Sequence, residues 1–410
     1  MGTDGRYMLI SSDTHAGASH ATYREYLDPK YLEDFDAWRN KYRNPYKDLA
    51  PGDDRRLRNW DNEMRNSQQD ADGVVGEVIF PNTVPPFFPN FVLFAAPPTP
   101  DTYEHRLAGI RAHNRWLVDF CNDFPARRAG IGQIFLNDID DAIDEVKWIK
   151  EHGLRGGILL PPVPPDVHDH IKPLNHPDYD RLWEVCQELE VPVNIHGGTG
   201  SPSYPSLPSS TILHIHELTF YSKRTLAWLL LSGVFERFPR LKFVMSESGC
   251  AWLKPYVQQM DGLIAGVKRG QQGELRFTED MAPPRLASEY VQQNLHLGVS
   301  FPSRADVEAR DVVAEGHWMW GSDFPHDEGT QPFTREHIRQ VFEGVPVEEK
   351  RNLLGRNAAA FYDFDEAALA PAVAQFGPTV EELEEPLTEL PENANDALRR
   401  GLDQPSLAAL

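Results

Sequence analysis

The segment WMWGSDFPH at residues 318–326 decides the fold, because an apolar run typical of a buried strand ends in an aspartate and a histidine. Three other short segments repeat this arrangement, with carboxylate or imidazole groups after an apolar run: SDTH at 12–15, NIHGG at 194–198 and SESG at 246–249. A (β/α)8 barrel builds its site from side chains at the carboxyl ends of several strands. The pattern therefore predicts a metal site at the C-terminal mouth of a β/α barrel.

Strand and helix patterns alternate along the chain. Eight apolar runs predict strands at residues 8–12, 75–81, 128–135, 154–160, 191–196, 241–246, 295–301 and 318–322. Apolar residues recur at helical spacing in 102–124, 138–152, 178–189, 218–238, 252–267, 304–314 and 334–342. Near-continuous apolar strands separated by helices are typical of a parallel sheet covered on both faces. We therefore expect an α/β protein with a distorted (β/α)8 TIM barrel over residues 1–364.

Two parts of the chain depart from this alternation. Residues 23–72, between the first two strands, are rich in charged and aromatic residues and too long for a simple crossover, so they predict helical excursions over the barrel mouth. After Tyr362 the pattern decays, and residues 365–410 form an acidic extension that contains proline. We expect this extension to pack on its own barrel, to contact a partner subunit or to be partly disordered.

The proline- and phenylalanine-rich stretch at residues 81–100 directly follows the second predicted strand. Its prolines argue against a helix, so it predicts an apolar wall. One interpretation is a hydrophobic substrate pocket, with Phe87, Phe88 and Phe91 as substrate-binding residues. The other is a loop that only packs on the preceding excursion.

Composition limits the class of partner and the compartment. A formal net charge of −22 argues against a nucleic-acid partner, which normally requires a basic surface, and favours a small-molecule substrate. The sequence has neither an apolar run long enough for a membrane span nor a signal peptide, so we expect a cytoplasmic protein. Cys121, Cys186 and Cys250 are widely separated in apolar surroundings, which predicts buried free thiols rather than disulfides.

The strand-end residues are candidate metal ligands. Alternation along a strand places Asp13 and His15 on one side of it, so both can point at one place in the mouth. His196 closes its strand before two glycines, and a carboxylate at Glu247 requires a partner or a metal because it has lost its water. Barrel closure brings the eighth strand beside the first. Candidate ligands in this part of the chain are therefore Asp13, His15, His196, Glu247, Asp323 and His326.

Asp323 and Glu247 are also the candidate catalytic residues, because a carboxylate at a strand end can accept a proton as well as bind metal. His214 and His216, in ILHIHEL, are further ligand candidates. If that segment is helical the two side chains cannot face the same way, whereas in an extended segment they can. Surface or capping roles for these two histidines remain open at this point.

These motifs resemble the amidohydrolase-related branch of the metal-dependent hydrolase superfamily, whose members are distorted (β/α)8 barrels. The resemblance covers residues 8–364. It rests on SDTH, on PVNIHGG at 192–198, on FPRLKFVMSESGCAWLKPY at 238–256, and on MWGSDFPHDEG at 319–329 followed by RNAAAFY at 356–362. Familiar decarboxylases and hydrolases of that branch carry His-x-His or Glu-x-His at strand one and a histidine at strand six. This chain has Asp13 and Glu247 at those places.

Replacing imidazole by carboxylate adds negative charge and hardness, which shifts preference from zinc toward iron or manganese. These departures resemble the nonheme diiron monooxygenase offshoot of the superfamily, the platensimycin and platencin diterpenoid hydroxylase type. That resemblance implies two Fe ions, O₂ as co-substrate, an electron donor and a hydrophobic, terpenoid-like substrate linked to CoA. Arg285 is then a candidate contact for a CoA phosphate, with a solvated surface charge as the alternative. A homo-oligomer is also implied by the resemblance.

Three functional hypotheses follow from the sequence. The leading hypothesis is a diiron monooxygenase in which the strand-end ligands hold both irons. The alternative is a mononuclear metal-dependent hydrolase or decarboxylase with one Zn or Mn, where Asp323 serves as general base. A second alternative is a barrel that has lost catalysis and serves as a binding protein, although such a barrel has no reason to keep so many ionisable groups at its strand ends.

Overall fold

Eight parallel strands form one sheet whose neighbours follow chain order, as a (β/α)8 barrel requires. The structure is a computed structural model that describes residues 5–43, 54–93 and 95–400. The strands are β1 Leu9–Ala16, β2 Val74–Pro81, β3 Arg128–Gln133, β4 Gly157–Leu159, β5 Val193–Ile195, β6 Phe243–Ser246, β7 Leu295–Ser300 and β8 Trp318–Gly321. All eight are buried along their length, which explains their near-continuous apolar sequence.

Helices surround the strands. Those before β2 are α1 His20–Tyr26, α2 Leu32–Lys41 and α3 Asn62–Asp72. The next are α4 Tyr103–Asn122, α5 Ile139–Glu151, α6 Asp180–Glu188, α7 Ser210–Leu231, α8 Val234–Arg237, α9 Leu253–Lys268 and α10 Ala287–Asn294. The last are α11 Arg304–Glu308, α12 Thr334–Val341, α13 Val347–Arg351, α14 Asn357–Phe361, α15 Glu366–Phe376, α16 Val380–Glu384 and α17 Asp396–Arg400. The predicted alternation is confirmed, but α10 was not anticipated by the sequence pattern.

The barrel closes between β1 and the end of β8. The backbone N–H of His15 donates to the carbonyl of Phe324 at 2.7 Å, and that of Asp323 donates to the carbonyl of Asp13 at 2.9 Å. A Cβ at Gly321 would lie 2.9 Å from the Cβ of Asp13, so glycine permits this close approach. β1 also pairs with β2 as far as Ala16, beyond its predicted end, so Asp13 and His15 lie inside the strand.

The predicted helical insertion after the first strand is present. Helices α1, α2 and α3 occupy this part of the chain, while residues 44–53 lie outside the described ranges. Phe35 and Trp38 of α2 pack against Phe87, with ring centroids 6.1 and 5.7 Å apart. The insertion therefore covers the proline-rich segment that follows β2.

The C-terminal extension packs on its own barrel as far as it is described, to residue 400. Leu369 and Val373 of α15 join a buried cluster that contains Ile10 of β1. The backbone N–H of Tyr7 donates to the carbonyl of Pro378 at 2.8 Å, and the Asn395 amide donates to a carbonyl in the loop after β8. The extension thus braces both the base of the barrel and a mouth loop. Residues 401–410 lie outside the described part.

The three cysteines are buried free thiols, as the sequence predicted. No helix within the described ranges combines the length and the apolar character that a membrane crossing requires.

Candidate metal centre

Six side chains from four strand ends meet at the C-terminal mouth of the barrel, and we call them the mouth cluster. Asp13 and His15 come from β1, and the others follow β5, β6 and β8. Asp13, His15, His196 and Asp323 are at most 1 % exposed, whereas the other two side chains are partly open to solvent. The members of the mouth cluster are Asp13, His15, His196, Glu247, Asp323 and His326.

Close contacts link the members of the mouth cluster. His15 Nε2 lies 3.5 Å from Asp13 Oδ1 and 3.1 Å from Asp323 Oδ1. His196 Nε2 lies 3.4 Å from Asp13 Oδ2 and 3.1 Å from Glu247 Oε2. One ligand atom from each of Asp13, His15, His196 and Glu247 lies within 4.8 Å of the other three. This spacing is compatible with coordination of one ion.

Four buried polar atoms in the mouth cluster have no partner in hydrogen-bonding geometry, although each imidazole nitrogen among them lies 3.1 Å from a carboxylate oxygen. They are Asp13 Oδ1, His15 Nε2, His196 Nε2 and Asp323 Oδ2. A buried polar atom normally finds a partner, because leaving it unpaired costs about 1–3 kcal/mol. A metal ion would satisfy carboxylate oxygens and imidazole nitrogens together, and both are ordinary ligands of Mn²⁺ and Zn²⁺. The donor set therefore fits a divalent cation.

The other imidazole nitrogens and the Asp13 carboxylate have neighbours that fix their orientation. His15 Nδ1 lies 3.4 Å from the carbonyl of Pro81, and His196 Nδ1 lies 3.2 Å from that of Gly197. The Ser300 hydroxyl donates to Asp13 Oδ2. Such outer contacts orient metal ligands and select the histidine tautomer. Each Nε2 is thereby left pointing into the mouth cluster.

Asp323 and His326 form a pair at the open side of the mouth cluster. His326 Nδ1 lies 2.9 Å from Asp323 Oδ1, and its Nε2 lies 3.1 Å from Asn82 Oδ1. Asp323 also shares a potential ligand group with Glu247 and Glu328. The pair thus connects the buried carboxylates with the partly exposed rim of the mouth.

Two cluster residues adopt backbone conformations that L-amino acids rarely use. Glu247 has φ of 48° and Asp323 has φ of 61°. Residues held in the left-handed region cost of the order of 1 kcal/mol and are concentrated at functional sites. In both cases the strand has just ended, and the turn directs the carboxylate inward over the barrel axis.

The electrostatics of the mouth cluster reflect buried negative charge. Burial raises the pKa of Glu247 above its usual range, and the nearby Asp323 and Asp13 carboxylates add to this effect. Burial alone would lower the pKa of His196, but the attraction of Asp13 and Glu247 outweighs it and raises the pKa to about 9. Burial lowers the pKa of His15. Both raised values show that the cluster favours additional positive charge, from a proton or a cation.

A buried ion network lies directly behind β1. Glu77 of β2 accepts from Arg65 Nε at 3.0 Å, and Arg128 Nε lies 3.3 Å from Glu77 Oε1. Arg65 Nη1 also donates to the carbonyl of His15 at 2.8 Å, and the Thr14 hydroxyl donates to Glu77. The network therefore holds the strand segment that carries both β1 ligands.

The structure does not bring His214 and His216 into the mouth cluster. Both lie in α7, where His214 is half-buried against the ring of Tyr204 and His216 is exposed. The segment is helical, so the extended alternative for these two residues is excluded. Neither histidine belongs to a potential metal group found among the described residues.

The predicted substrate-binding residues occupy different places. Phe88 is buried and lines a cavity near the mouth, whereas Phe87 packs against the insertion. Phe91 is half-buried in the same apolar cluster as Phe88. Arg285 bonds Glu236 at 3.0 Å and also donates to Gln293, in the segments that precede β6 and β7. These ion-pair and hydrogen-bond partners do not belong to the mouth cluster.

Sequence reasoning missed Asn82, Ser300 and Glu328. Asn82 and Ser300 stand at the ends of β2 and β7, so the strand-end rule that found the ligands would also have found them. Glu328 follows His326 by two residues in the same motif. Asn82 and Ser300 are uncharged, and Glu328 lies in a loop, so no sequence pattern singled them out as site residues.

The fold and the mouth cluster define a metal-binding (β/α)8 barrel enzyme. A model of the amidohydrolase family matches residues 63–364, and the chain belongs to this family.

Solved structures with the same fold include several decarboxylases. The 5-carboxyvanillate decarboxylase of Sphingomonas paucimobilis has 19% identity and a TM-score of 0.63, covering 88% of this chain and 100% of that one. The dihydroxybenzoic acid decarboxylase of Polaromonas sp. JS666, with bound manganese and 2-nitroresorcinol, has 16% identity and a TM-score of 0.59, covering 87% and 97%. A 5-carboxyvanillate decarboxylase of Novosphingobium aromaticivorans with bound manganese has 18% identity and a TM-score of 0.63, covering 88% and 99%.

The interpretation as a diiron monooxygenase is wrong. The structures to which this chain is similar include several decarboxylases, and manganese is bound in two of those described above. The two Fe ions, the O₂ co-substrate and the CoA-linked terpenoid substrate that depended on this interpretation are withdrawn with it. Asp13 and Glu247 do not distinguish iron from manganese, because carboxylate ligands suit both metals.

Proposed function

We propose that the chain is a metal-dependent decarboxylase that holds one divalent ion and acts on an aromatic carboxylic acid. The observation that carries this proposal is the convergence of four buried atoms in the mouth cluster, two carboxylate oxygens and two imidazole nitrogens, none of which makes a hydrogen bond of good geometry. Their arrangement provides for a cation, and the similar structures that bind manganese are decarboxylases of aromatic acids.

Asp13, His15, His196, Glu247 and Asp323 are the residues that would hold the ion. Carboxylates are hard ligands, so this set favours Mn²⁺ over Zn²⁺ compared with a site of the same size built from histidines. When bound, the ion supplies a Lewis acid that polarises a substrate oxygen. The outer contacts from Ser300 and the strand carbonyls keep the ligands oriented.

Asp323 and His326 are the pair that would handle the proton. Loss of CO₂ leaves a carbanion equivalent that must take up a proton at the same carbon. His326 is partly exposed, contacts Asp323 at 2.9 Å, and can therefore exchange protons with solvent and pass them inward. Asn82, at 3.1 Å from the other ring nitrogen, fixes the orientation of the imidazole.

Aromatic acids are favoured by the walls next to the mouth cluster. Phe88 and Phe135 lie stacked with ring centroids 6.0 Å apart, and both line the cavity near β3 and β4. Flat apolar walls beside a few polar groups are typical of sites for small aromatic ligands. Hydrolysis is the second candidate, because a carboxylate such as Asp323 can also accept a proton from water, and the family includes amidohydrolases.

Metal analysis combined with anaerobic turnover tests the proposed function. Protein purified with manganese should contain one ion per chain and release CO₂ from 5-carboxyvanillate or 2,6-dihydroxybenzoate without O₂. Chelation should abolish this release. Asp323→Asn should eliminate turnover, whereas His216→Ala, on the exposed face of α7, should leave turnover intact.

The contradicting results are specific. Absence of bound metal, or unchanged turnover in chelator, would contradict the metal assignment. Hydrolysis of an ester or amide without CO₂ release from any aromatic acid tested would favour the second candidate instead.

A further inference from the structure

A small cavity adjoins the mouth cluster at the carboxyl ends of β3, β4 and β5. It has a volume of about 20 Å³, and its walls are mainly apolar, from Phe88, Phe135 and Leu159. Thr199 also lines it, and the Thr199 hydroxyl accepts from the backbone N–H of His196 at 3.2 Å. Thr199 thus lies between the cavity and His196, a proposed metal ligand. The size of the cavity suits a small polar group rather than a long acyl chain.

Arg106, from the first turns of α4, lines this cavity. It is 6 % exposed, and its guanidinium lies 4.2 Å from the ring centroid of Phe88. One terminal nitrogen donates to the carbonyl of Ala96 at 2.7 Å, but Nε has no partner. None of the carboxylates in the described ranges pairs with it. Desolvation lowers its pKa to about 10. A buried cation without a counter-charge is unfavourable, and a bound anion would offset this cost.

Gln133, the last residue of β3, lines the same cavity. It is 1 % exposed, and neither its side-chain oxygen nor its side-chain nitrogen has a hydrogen-bond partner. Its backbone groups are already paired with Asn114. A buried amide with both atoms unpaired is unusual, because buried polar side chains normally have hydrogen-bond partners. Two elements, α4 and β3, thus each place beside one cavity a residue with buried polar atoms that lack hydrogen-bond partners.

We propose that Arg106 and Gln133 bind a second carboxylate of the substrate, which is therefore an aromatic dicarboxylic acid. Arginine and amide N–H groups are donors that recognise a carboxylate, and a charged acceptor is the partner that a buried guanidinium lacks. This assignment rests on the proposed function, since the reacting carboxylate of the same substrate would occupy the mouth cluster.

Titration calorimetry on manganese-loaded protein tests this subsite. The probes are benzoate, with one carboxylate, and the three benzenedicarboxylates, which place the second carboxylate at different positions. At least one dicarboxylate should bind about tenfold more tightly than benzoate. Arg106→Met and Gln133→Leu should each remove this advantage while benzoate affinity stays the same. The second variant keeps the test valid if the first fails to fold, which thermal unfolding would reveal.

Arg155→Met is the matched control. Arg155 also donates to backbone carbonyls and lies 4.3 Å from a ring centroid, that of Phe364, but it precedes β4 at the opposite end of the barrel. The control should retain the full dicarboxylate advantage. The proposal is overturned if no isomer binds better than benzoate, or if the advantage persists in both Arg106→Met and Gln133→Leu.

Metal-free protein separates this proposal from the proposed function. In chelator, the preferred dicarboxylate should still raise the melting temperature of the protein, and Arg106→Met should abolish that rise. If the protein binds no metal but this Arg106-dependent effect is present, the proposed function fails and the subsite stands. If metal binding and decarboxylation succeed without any Arg106-dependent binding, the subsite alone fails.

Discussion

Substituting Glu77 by glutamine should be among the most damaging single changes to this barrel. The carboxylate is 2 % exposed in β2 and is the shared counter-charge of Arg65 and Arg128, which are equally buried. Glu77→Gln keeps the shape of the side chain and removes its charge. Two guanidinium groups would then remain in the interior without a balancing anion.

The loss of folding stability expected for Glu77→Gln can be worked out in two ways. Burial opposes ionisation of Glu77, but the attraction of Arg65 outweighs it and lowers the pKa from 4.5 to about 2. A depression of this size corresponds to about 3 kcal/mol of stability, present above the unfolded pKa and lost as pH falls through the folded value. Measurements on broken buried ion pairs give about 3–5 kcal/mol. We therefore expect a loss of about 3–5 kcal/mol at pH 7.

Urea unfolding of metal-free protein, followed by circular dichroism, measures this loss without a contribution from bound ion. Asp70→Asn is the matched control, because Asp70 pairs with Arg127 at 2.7 Å but both side chains are partly exposed. The control should cost about 1 kcal/mol or less. A loss for Glu77→Gln no greater than that of the control would refute the reasoning. Because Arg65 also holds the carbonyl of His15, the variant should bind manganese more weakly as well.

Three further predictions concern manganese binding, and one concerns the dependence of stability on pH. Ser300→Ala removes the hydroxyl that orients Asp13 and should weaken manganese binding by roughly 10–100-fold in calorimetry. Glu247→Gln should lower the manganese content of purified protein, and unchanged content would remove Glu247 from the ligand set. His216→Ala, on the exposed side of α7, should retain full manganese content. Burial raises the pKa of Asp72 to about 7, so stability should fall as pH rises from about 4 to 7; Asp72→Asn should flatten this fall by roughly 3 kcal/mol in urea unfolding.

The fold could be predicted because each barrel strand is buried on both faces and so appears as an apolar run in the sequence. The ends of elements were less predictable. The first strand is predicted to end at Ser12, yet β1 continues to Ala16 because residues 14–16 pair with residues 79–81 of β2, which no local pattern reveals. Helix α10, Ala287–Asn294, is not predicted by the sequence pattern.

The mouth cluster could be predicted from position alone, since every member lies in the C-terminal half of a strand or in the segment that follows it. The cavity beside Arg106 and Gln133 could not be predicted. Arg106 lies in α4 and Gln133 in β3, and neither residue follows a recognisable motif. Residue types also failed to identify the reaction. Asp13 and Glu247 indicate a hard cation, but hardness does not distinguish manganese in a decarboxylase from iron in an oxygenase.

The charges of the mouth and of the cavity are complementary if the substrate is an acid. Asp13, Glu247 and Asp323 place three carboxylates at the mouth cluster, more negative charge than one divalent ion neutralises. An anionic substrate would therefore be repelled unless positive charge lay close by. Arg106 is a buried cation without a carboxylate partner in the described ranges, at a cavity that adjoins the cluster through Thr199. A substrate with two carboxylates, as inferred above, would place one carboxylate near the metal ligands and the other beside the unbalanced guanidinium of Arg106.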